Sequence, residues 1–81
     1  MRSGFIILPS QCRAARELLG IKQEDLSNKS GVTRSTIGDF ERGARNLRMD
    51  TMQKLSDAFV ACGIQFISDG SKVGVVLDSD V

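Results

Sequence analysis

The sequence predicts one small, mainly α-helical domain that ends in a short β-hairpin. Apolar side chains recur at helical spacing in several blocks between residues 10 and 62. Glycines separate these blocks, as is typical where helices end. Beyond residue 63, two short runs rich in β-branched residues flank a turn, which is the pattern of a hairpin.

Two helices are predicted first, over Pro9–Leu19 and Gln23–Ser30. Proline suits the first turn of a helix, where its missing N–H costs nothing, and Gly20 ends helix one. In helix two, Leu26 is the main apolar residue, and Gly31 supplies the tight turn that follows. Four apolar residues of helix one are expected to face the core: Cys12, Ala15, Leu18 and Leu19.

Helix three is predicted over Arg34–Arg42, with Thr33 as its N-cap. Its apolar residues Ile37 and Phe40 point to one side. The polar and small residues are expected to point outward or sideways: Arg34, Ser35, Thr36, Gly38 and Asp39. A helix whose outward face is short, polar and able to form hydrogen bonds is suited to reading the edges of bases.

Helix four is predicted over roughly Met49–Cys62 and carries the strongest periodic signal in the chain. Its apolar stripe consists of Met52, Leu55, Ala58, Phe59 and Cys62. Residues 1–8 are expected to form a tail or a short strand, residues 9–63 the helical domain, and residues 64–81 a β-rich segment. Within that segment Asp69-Gly70 marks the turn, and the last four residues are expected to fray.

Composition disfavours several classes of function. The 81 residues include no histidine and only two cysteines, which fit no zinc or disulfide pattern. No glycine-rich phosphate loop follows a strand and no carboxylate pair indicates a catalytic cleft, so we expect no enzyme, no cofactor and no metal. No apolar run approaches the roughly 20 residues of a membrane span. The apolar run near the N-terminus is too short for a signal peptide, which favours a cytoplasmic protein.

Charge is distributed unevenly, although the net charge is only +1. Residues 1–49 carry nine basic and five acidic side chains, whereas residues 50–81 carry two basic and five acidic ones. A positive surface can therefore exist on one side of a nearly neutral protein. This distribution is compatible with a nucleic-acid partner.

Helices two and three, separated by the turn at Gly31, form a helix-turn-helix arrangement. The stretch RAARELLGIKQEDLSNKSGVTRSTIGDFERG resembles the lambda-repressor-like family, also called XRE-type. The resemblance covers about residues 11 to 63 and rests on QEDL, on GV in the turn, on the segment TRSTI and on FERG. It implies a domain of four to five helices that binds double-stranded DNA with helix three in the major groove.

The resemblance also implies which residues contact the DNA backbone. Gln23, at the start of helix two, is expected to bond a phosphate, and Thr33 to make a second phosphate contact. Arg42 and Arg45, at and beyond the end of helix three, match phosphate-facing positions. Thr36 matches a position near the backbone or a thymine methyl group.

Base-reading positions are implied in the same way for Arg34, Ser35 and Asp39. Arg34 stands at the N-terminal end of the recognition helix, where side chains reach deepest. Two alternatives exist for the negatively charged Asp39: accepting a hydrogen bond from cytosine N4, or pairing with Arg42 three residues on. Glu41 matches a position that supports the fold by hydrogen bonds or ion pairs. Four residues match the motif's core: Leu26, Val32, Ile37 and Phe40.

The chain departs from the family at its end, where the hairpin takes the place of the usual last helix. Two functions fit this sequence. The first is a bacterial or phage-type, nucleoid-associated transcriptional regulator that acts as a homodimer, joined through the hairpin Ile64–Leu77 or through the N-terminal tail. The second is an antitoxin-like or adaptor module that binds a protein partner through its C-terminal segment, with DNA binding for autoregulation.

Overall fold

Four helices followed by a two-stranded antiparallel sheet make up the structure, a computed structural model that describes residues 6–78. The elements are α1 (Pro9–Leu19), α2 (Gln23–Ser30), α3 (Arg34–Glu41), α4 (Met49–Ala61), β1 (Ile64–Ser68) and β2 (Val73–Leu77). The prediction of a mainly helical domain with a C-terminal hairpin is therefore confirmed. Residues 1–5 of the expected tail and 79–81 of the expected frayed end lie outside the described residues.

The first two helices begin with the same local chemistry. Pro9 opens α1, and the side-chain oxygen Oε1 of Gln11 accepts the N–H of Leu8 at 2.9 Å. In α2 the carboxylate of Asp25 accepts the N–H of Lys22 at 2.9 Å. Each contact satisfies an N–H group that a helix start would otherwise leave unpaired.

Helix ends lie close to the predicted positions. Gly20 and Gly31 adopt left-handed conformations, with φ of 69° and 79°, which terminate α1 and α2. Both α3 and α4 are one residue shorter than predicted, because Arg42 and Cys62 serve as their C-cap residues. The ends of the helices around α3 are thus determined largely by local sequence.

The core lies between the helices and beneath the hairpin. Ile7, in the segment before α1, is buried without forming a strand. The prediction that Leu18 faces inward is wrong, because its side chain is 47% exposed and the hydrogen bonds from α1 to the hairpin are made two turns earlier, by Gln11. The buried apolar residues are Ile7, Cys12, Ala15, Leu26, Val32, Ile37, Phe40, Met52, Leu55, Phe59 and Ile64.

The hairpin is tied to the helices by specific contacts. Its strands pair in register from Ile64↔Leu77 to Ser68↔Val73, and the Phe66 ring meets Phe59 of α4 edge-on, with centroids 5.6 Å apart. The buried amide of Gln11 donates to the carbonyl oxygens of the paired residues Ile67 and Gly74, at 3.1 and 3.0 Å. The hairpin is therefore part of the folded domain, because Ile64 belongs to its core.

Candidate nucleic-acid interface

Helix α3 is held by its apolar side and presents its N-terminal turn to solvent. Ile37 and Phe40 are buried, whereas Arg34 and Ser35 are exposed. Within residues 6–78, neither the Arg34 nor the Ser35 side chain has a hydrogen-bond or ion-pair partner. Thr33 caps the helix, since its hydroxyl oxygen accepts the N–H of Thr36 at 3.3 Å.

Glu41, at the last turn of α3, is a buried carboxylate that joins this helix to α1 and α2. Arg16 donates two hydrogen bonds of 2.8 Å to the Glu41 carboxylate, from Nε to Oε2 and from Nη2 to Oε1. The Cys12 thiol donates to Oε2 and the Gln23 amide donates to Oε1, both at 3.1 Å. Arg13 donates to the main-chain carbonyl of the same residue. The buried charge is fully partnered, which is the condition for tolerating it.

These contacts also shift the pKa values of three groups. Burial alone would raise the pKa of Glu41, but hydrogen bonds from Arg16, Cys12 and Gln23 outweigh burial and hold that pKa below its usual value. The hydrogen bond to Glu41 raises the pKa of Arg16. Burial, together with the hydrogen bond and the charge of Glu41, raises the pKa of the Cys12 thiol well above its ordinary value. At neutral pH the cluster therefore contains a carboxylate, a guanidinium and an uncharged thiol.

Gln23 lies across α3 because its amide is bonded to Glu41. A Cβ atom placed on Gly38 would be 3.5 Å from Gln23 Oε1 and 3.7 Å from Arg42 Nη1. Gly38 is consequently buried beneath these two side chains, so of the two orientations expected for it, outward or sideways, the outward one is excluded. The Gln23 and Arg42 side chains thus cover the middle of the helix.

Asp39 pairs with Arg42, with 2.6 Å between Oδ1 and Nη2. This pairing is one of the two alternatives that the sequence offers for Asp39. The two side chains are 38% and 67% exposed, respectively. An exposed pair of this kind contributes about 0–1 kcal/mol, so a stronger partner can displace either member.

Arg45 extends from the loop after α3 back to the start of that helix. Its Nη1 donates to the hydroxyl oxygen of Thr36 at 3.0 Å, and the Thr33 hydroxyl donates to the same oxygen at 2.8 Å. Thr36 is therefore turned toward the loop and is half-buried. One hydroxyl links the cap, the helix and the loop.

The structure brings all eight residues singled out in the sequence onto α3, onto its caps, or into contact with its residues. These residues are Gln23, Thr33, Arg34, Ser35, Thr36, Asp39, Arg42 and Arg45. Arg16 and Gln11 were not expected to contribute. Their partners lie 25 and more than 50 residues away in sequence, and such pairings leave no periodic signal.

Neither a metal site nor a membrane-spanning helix occurs in the part of the chain that the structure describes. No three His, Cys, Asp or Glu side chains of residues 6–78 come together as a metal site would require. None of the helices within that range combines the length and apolar character needed to cross a membrane.

Comparison with known proteins identifies the domain. A family model described as helix-turn-helix matches residues 13–59, which is more than half of the 81-residue chain. The chain belongs to the lambda-repressor-like, XRE-type helix-turn-helix family. This family consists of DNA-binding regulators that are generally not enzymes, so double-stranded DNA is the class of ligand. The matched residues run from α1 into α4 and do not include the hairpin. No curated protein matches the chain.

Proposed function

We propose that the protein is a sequence-specific regulator of transcription that binds double-stranded DNA as a homodimer, with α3 in the major groove. The observation that carries this proposal is the exposure of the Arg34 and Ser35 side chains. Both side chains are exposed on the first turn of a helix that Ile37 and Phe40 anchor in the core, and neither has a hydrogen-bond or ion-pair partner among residues 6–78. The N-terminal residues of a recognition helix are the ones that contact base edges. We propose further that it acts in the cytoplasm as a bacterial or phage-type, nucleoid-associated protein.

Arg34 is the main base-reading residue in this proposal. An arginine fork bonds O6 and N7 of a guanine with two parallel hydrogen bonds, and such a pair discriminates by about 1–3 kcal/mol. Ser35 is short and reads a neighbouring base or positions water beside it. Gly38, also on α3, has no side chain that could contact a base, so few residues determine the sequence preference.

Four residues around Arg34 and Ser35 are proposed phosphate ligands: Gln23, Thr33, Arg42 and Arg45. Gln23 is positioned for this role, since Glu41 accepts from its amide and limits its rotation. When Arg42 turns to a phosphate, Asp39 loses its partner and becomes free to accept from cytosine N4. Thr36 acts beside Arg45, close to the backbone or a thymine methyl.

Selection of bound duplexes from a random pool tests the proposal. We expect an enriched, two-fold symmetric site, because two copies of a small reader place their recognition helices on half-sites about one helical turn apart. Arg34→Lys is the matched variant, since it keeps the charge but loses the planar fork. It should retain the salt dependence of binding and lose preference at one base pair in each half-site. A pool without any enriched sequence, or a variant with unchanged preference, would contradict the assignment.

The hairpin is our proposed dimer contact, through pairing of strand edges between two copies. Each strand of a two-stranded sheet has one unpaired edge, and such edges accept a further strand. Large apolar side chains of this hairpin are 37% to 54% exposed: by the strand register, Ile67 and Val76 lie on one face of the sheet, and Val73 and Leu77 lie on the other. A second copy would bury this apolar surface.

The dimer contact is best tested by point substitution. Truncation at residue 64 would remove Ile64 from the core and so confuse dissociation with unfolding. Val76→Lys places a charge on the exposed hairpin surface, and lysine opposes edge association. We expect this variant to sediment as a folded monomer, whereas Leu18→Lys, at an exposed apolar position on α1, remains a dimer. A dimeric Val76→Lys variant would refute the hairpin contact and leave the N-terminal segment as the alternative.

The same exposed apolar surface supports the second function, that of an antitoxin-like or adaptor module. In that case the hairpin binds a different protein, and DNA binding serves autoregulation. The two proposals differ in stoichiometry. A purified chain that is monomeric in isolation and forms a one-to-one complex with a co-purifying protein through Val76 would favour the partner-binding function.

A further inference from the structure

An open groove of about 470 Å³ lies between the start of α3 and the face of α4. Thr33 and Thr36 line it from the recognition helix, and Arg45 and Arg48 line it from the loop. Lys54 lines it from the second turn of α4. The groove is thus continuous with the end of α3 that carries the reading residues, and α4 extends it away from that helix.

Positive charge and hydroxyl groups dominate this groove. Arg45, Arg48 and Lys54 contribute three cations, and none of the described residues that line the groove is acidic. Asp50 is not a lining residue, but its carboxylate lies 3.7 Å from Arg48 Nε in an exposed ion pair. Within the described chain the ammonium of Lys54 has no ion-pair or hydrogen-bond partner. Three cations and no acidic lining residue give the groove a positive potential that attracts an anion.

We propose that this groove holds the sugar–phosphate backbone of one DNA strand, and that Arg48 and Lys54 are phosphate ligands on its α4 side. The inference rests on the proposed DNA-binding function and extends the contact surface to a helix outside the helix-turn-helix motif. Cations and hydroxyl groups are the side chains that bond phosphate oxygens. Arg45 is hydrogen-bonded to Thr36, and both residues line the groove. A DNA strand contacted by the start of α3 therefore continues into the groove.

Sequence alone does not reveal this role for Lys54. It lies in the acidic second part of the chain, and its position on α4 is that of an ordinary solvent-facing lysine. Only the folding of α4 beside the loop brings this residue to the same groove as Arg45 and Arg48. Thr51, one turn earlier on α4, adds a hydroxyl to the same wall.

The salt dependence of DNA binding tests the proposal. The full chain is titrated against a mixed-sequence duplex over a range of salt concentrations, because phosphate contacts dominate such binding. Each phosphate contact contributes about 0.9 to the slope of log affinity against log salt concentration. Lys54→Gln should therefore lower the slope by about 0.9, so that its affinity deficit shrinks about 3.5-fold between 50 and 200 mM salt. Arg48→Gln should do the same.

The matched control is Lys72→Gln, which removes one exposed lysine from the hairpin turn, outside the groove. Glutamine and lysine have similar helix propensity, so Lys54→Gln should unfold at the wild-type temperature. The expected result is a lower slope for Lys54→Gln and a wild-type slope for Lys72→Gln. Wild-type binding with equal slopes for Lys54→Gln and the wild type would overturn the groove assignment alone. A wild-type chain that binds no duplex at low salt would overturn the proposed function and this inference together.

Discussion

Replacing Glu41 by glutamine keeps the shape of the side chain and removes the charge on which α1, α2 and α3 converge. Arg16, whose side chain is only 16% exposed, then lacks a carboxylate, and an amide NH2 group faces donors where an acceptor oxygen stood. Removing one partner of a buried ion pair costs about 3–5 kcal/mol. Arg16 keeps a hydrogen bond of 3.2 Å to the carbonyl of Ile21 and some contact with water, so we expect the lower end of that range.

Urea unfolding followed by circular dichroism measures this cost. With a slope of about 1 kcal/mol per molar urea for a small domain, the transition midpoint of Glu41→Gln should fall by about 3 M relative to the wild type. Glu17→Gln, on the exposed surface of α1, is the matched control and should leave the midpoint unchanged. A double variant, Arg16→Met with Glu41→Leu, should recover much of the loss because it leaves no unpaired charge. A loss below 1 kcal/mol for Glu41→Gln would refute the reasoning.

Four further predictions concern single sites. The pKa of Glu41 is lower in the folded than in the unfolded chain, so its contribution to stability is complete above the unfolded value of 4.5 and is lost as pH falls through the folded pKa. The free energy of unfolding, measured against pH, should therefore fall in acid for the wild type and fall less steeply for Glu41→Gln. Gly38→Ala should raise the free energy of unfolding by up to about 1 kcal/mol, since a Cβ there makes only ordinary contacts, and a loss of stability would contradict it. Thr33→Ala should cost about 1 kcal/mol in the same assay because the N-cap is removed, whereas an unchanged value would mean that the cap contributes nothing. A thiol reagent at pH 8 should label the half-buried Cys62 well before Cys12, which is fully buried and bonded to a carboxylate; equal rates would contradict the structure.

Much of the fold follows from local sequence. Pro9 at the start of α1, Thr33 before α3 and glycines at helix ends act within one turn of the chain, so the helices could be placed from the sequence to within a residue. The hairpin could be predicted for the same reason. Asp69 closes its turn by accepting the N–H of Lys72 at 2.9 Å.

The parts that could not be predicted depend on contacts between distant segments. Gln11 and Arg16 are polar residues of an amphipathic helix, and only the assembled fold shows that one holds the hairpin and the other holds Glu41. Gly38 was expected to point outward or sideways on α3. The long side chain of Gln23 reaches over it from α2, so fewer residues of α3 are exposed to DNA than the helix pattern indicated.

The central claim is that Arg34 on α3 reads DNA sequence, and a ratio of two affinities tests it most directly. The affinities of the wild type for the selected duplex and for a scrambled duplex are compared at physiological salt, together with those of Arg34→Lys. Specific binding of this kind exceeds non-specific binding by about 10³-fold or more. Loss of one bidentate base contact should lower that ratio by roughly 5- to 150-fold in Arg34→Lys, with little change in affinity for the scrambled duplex. A wild-type ratio near one, or an equal ratio in the variant, would contradict the account.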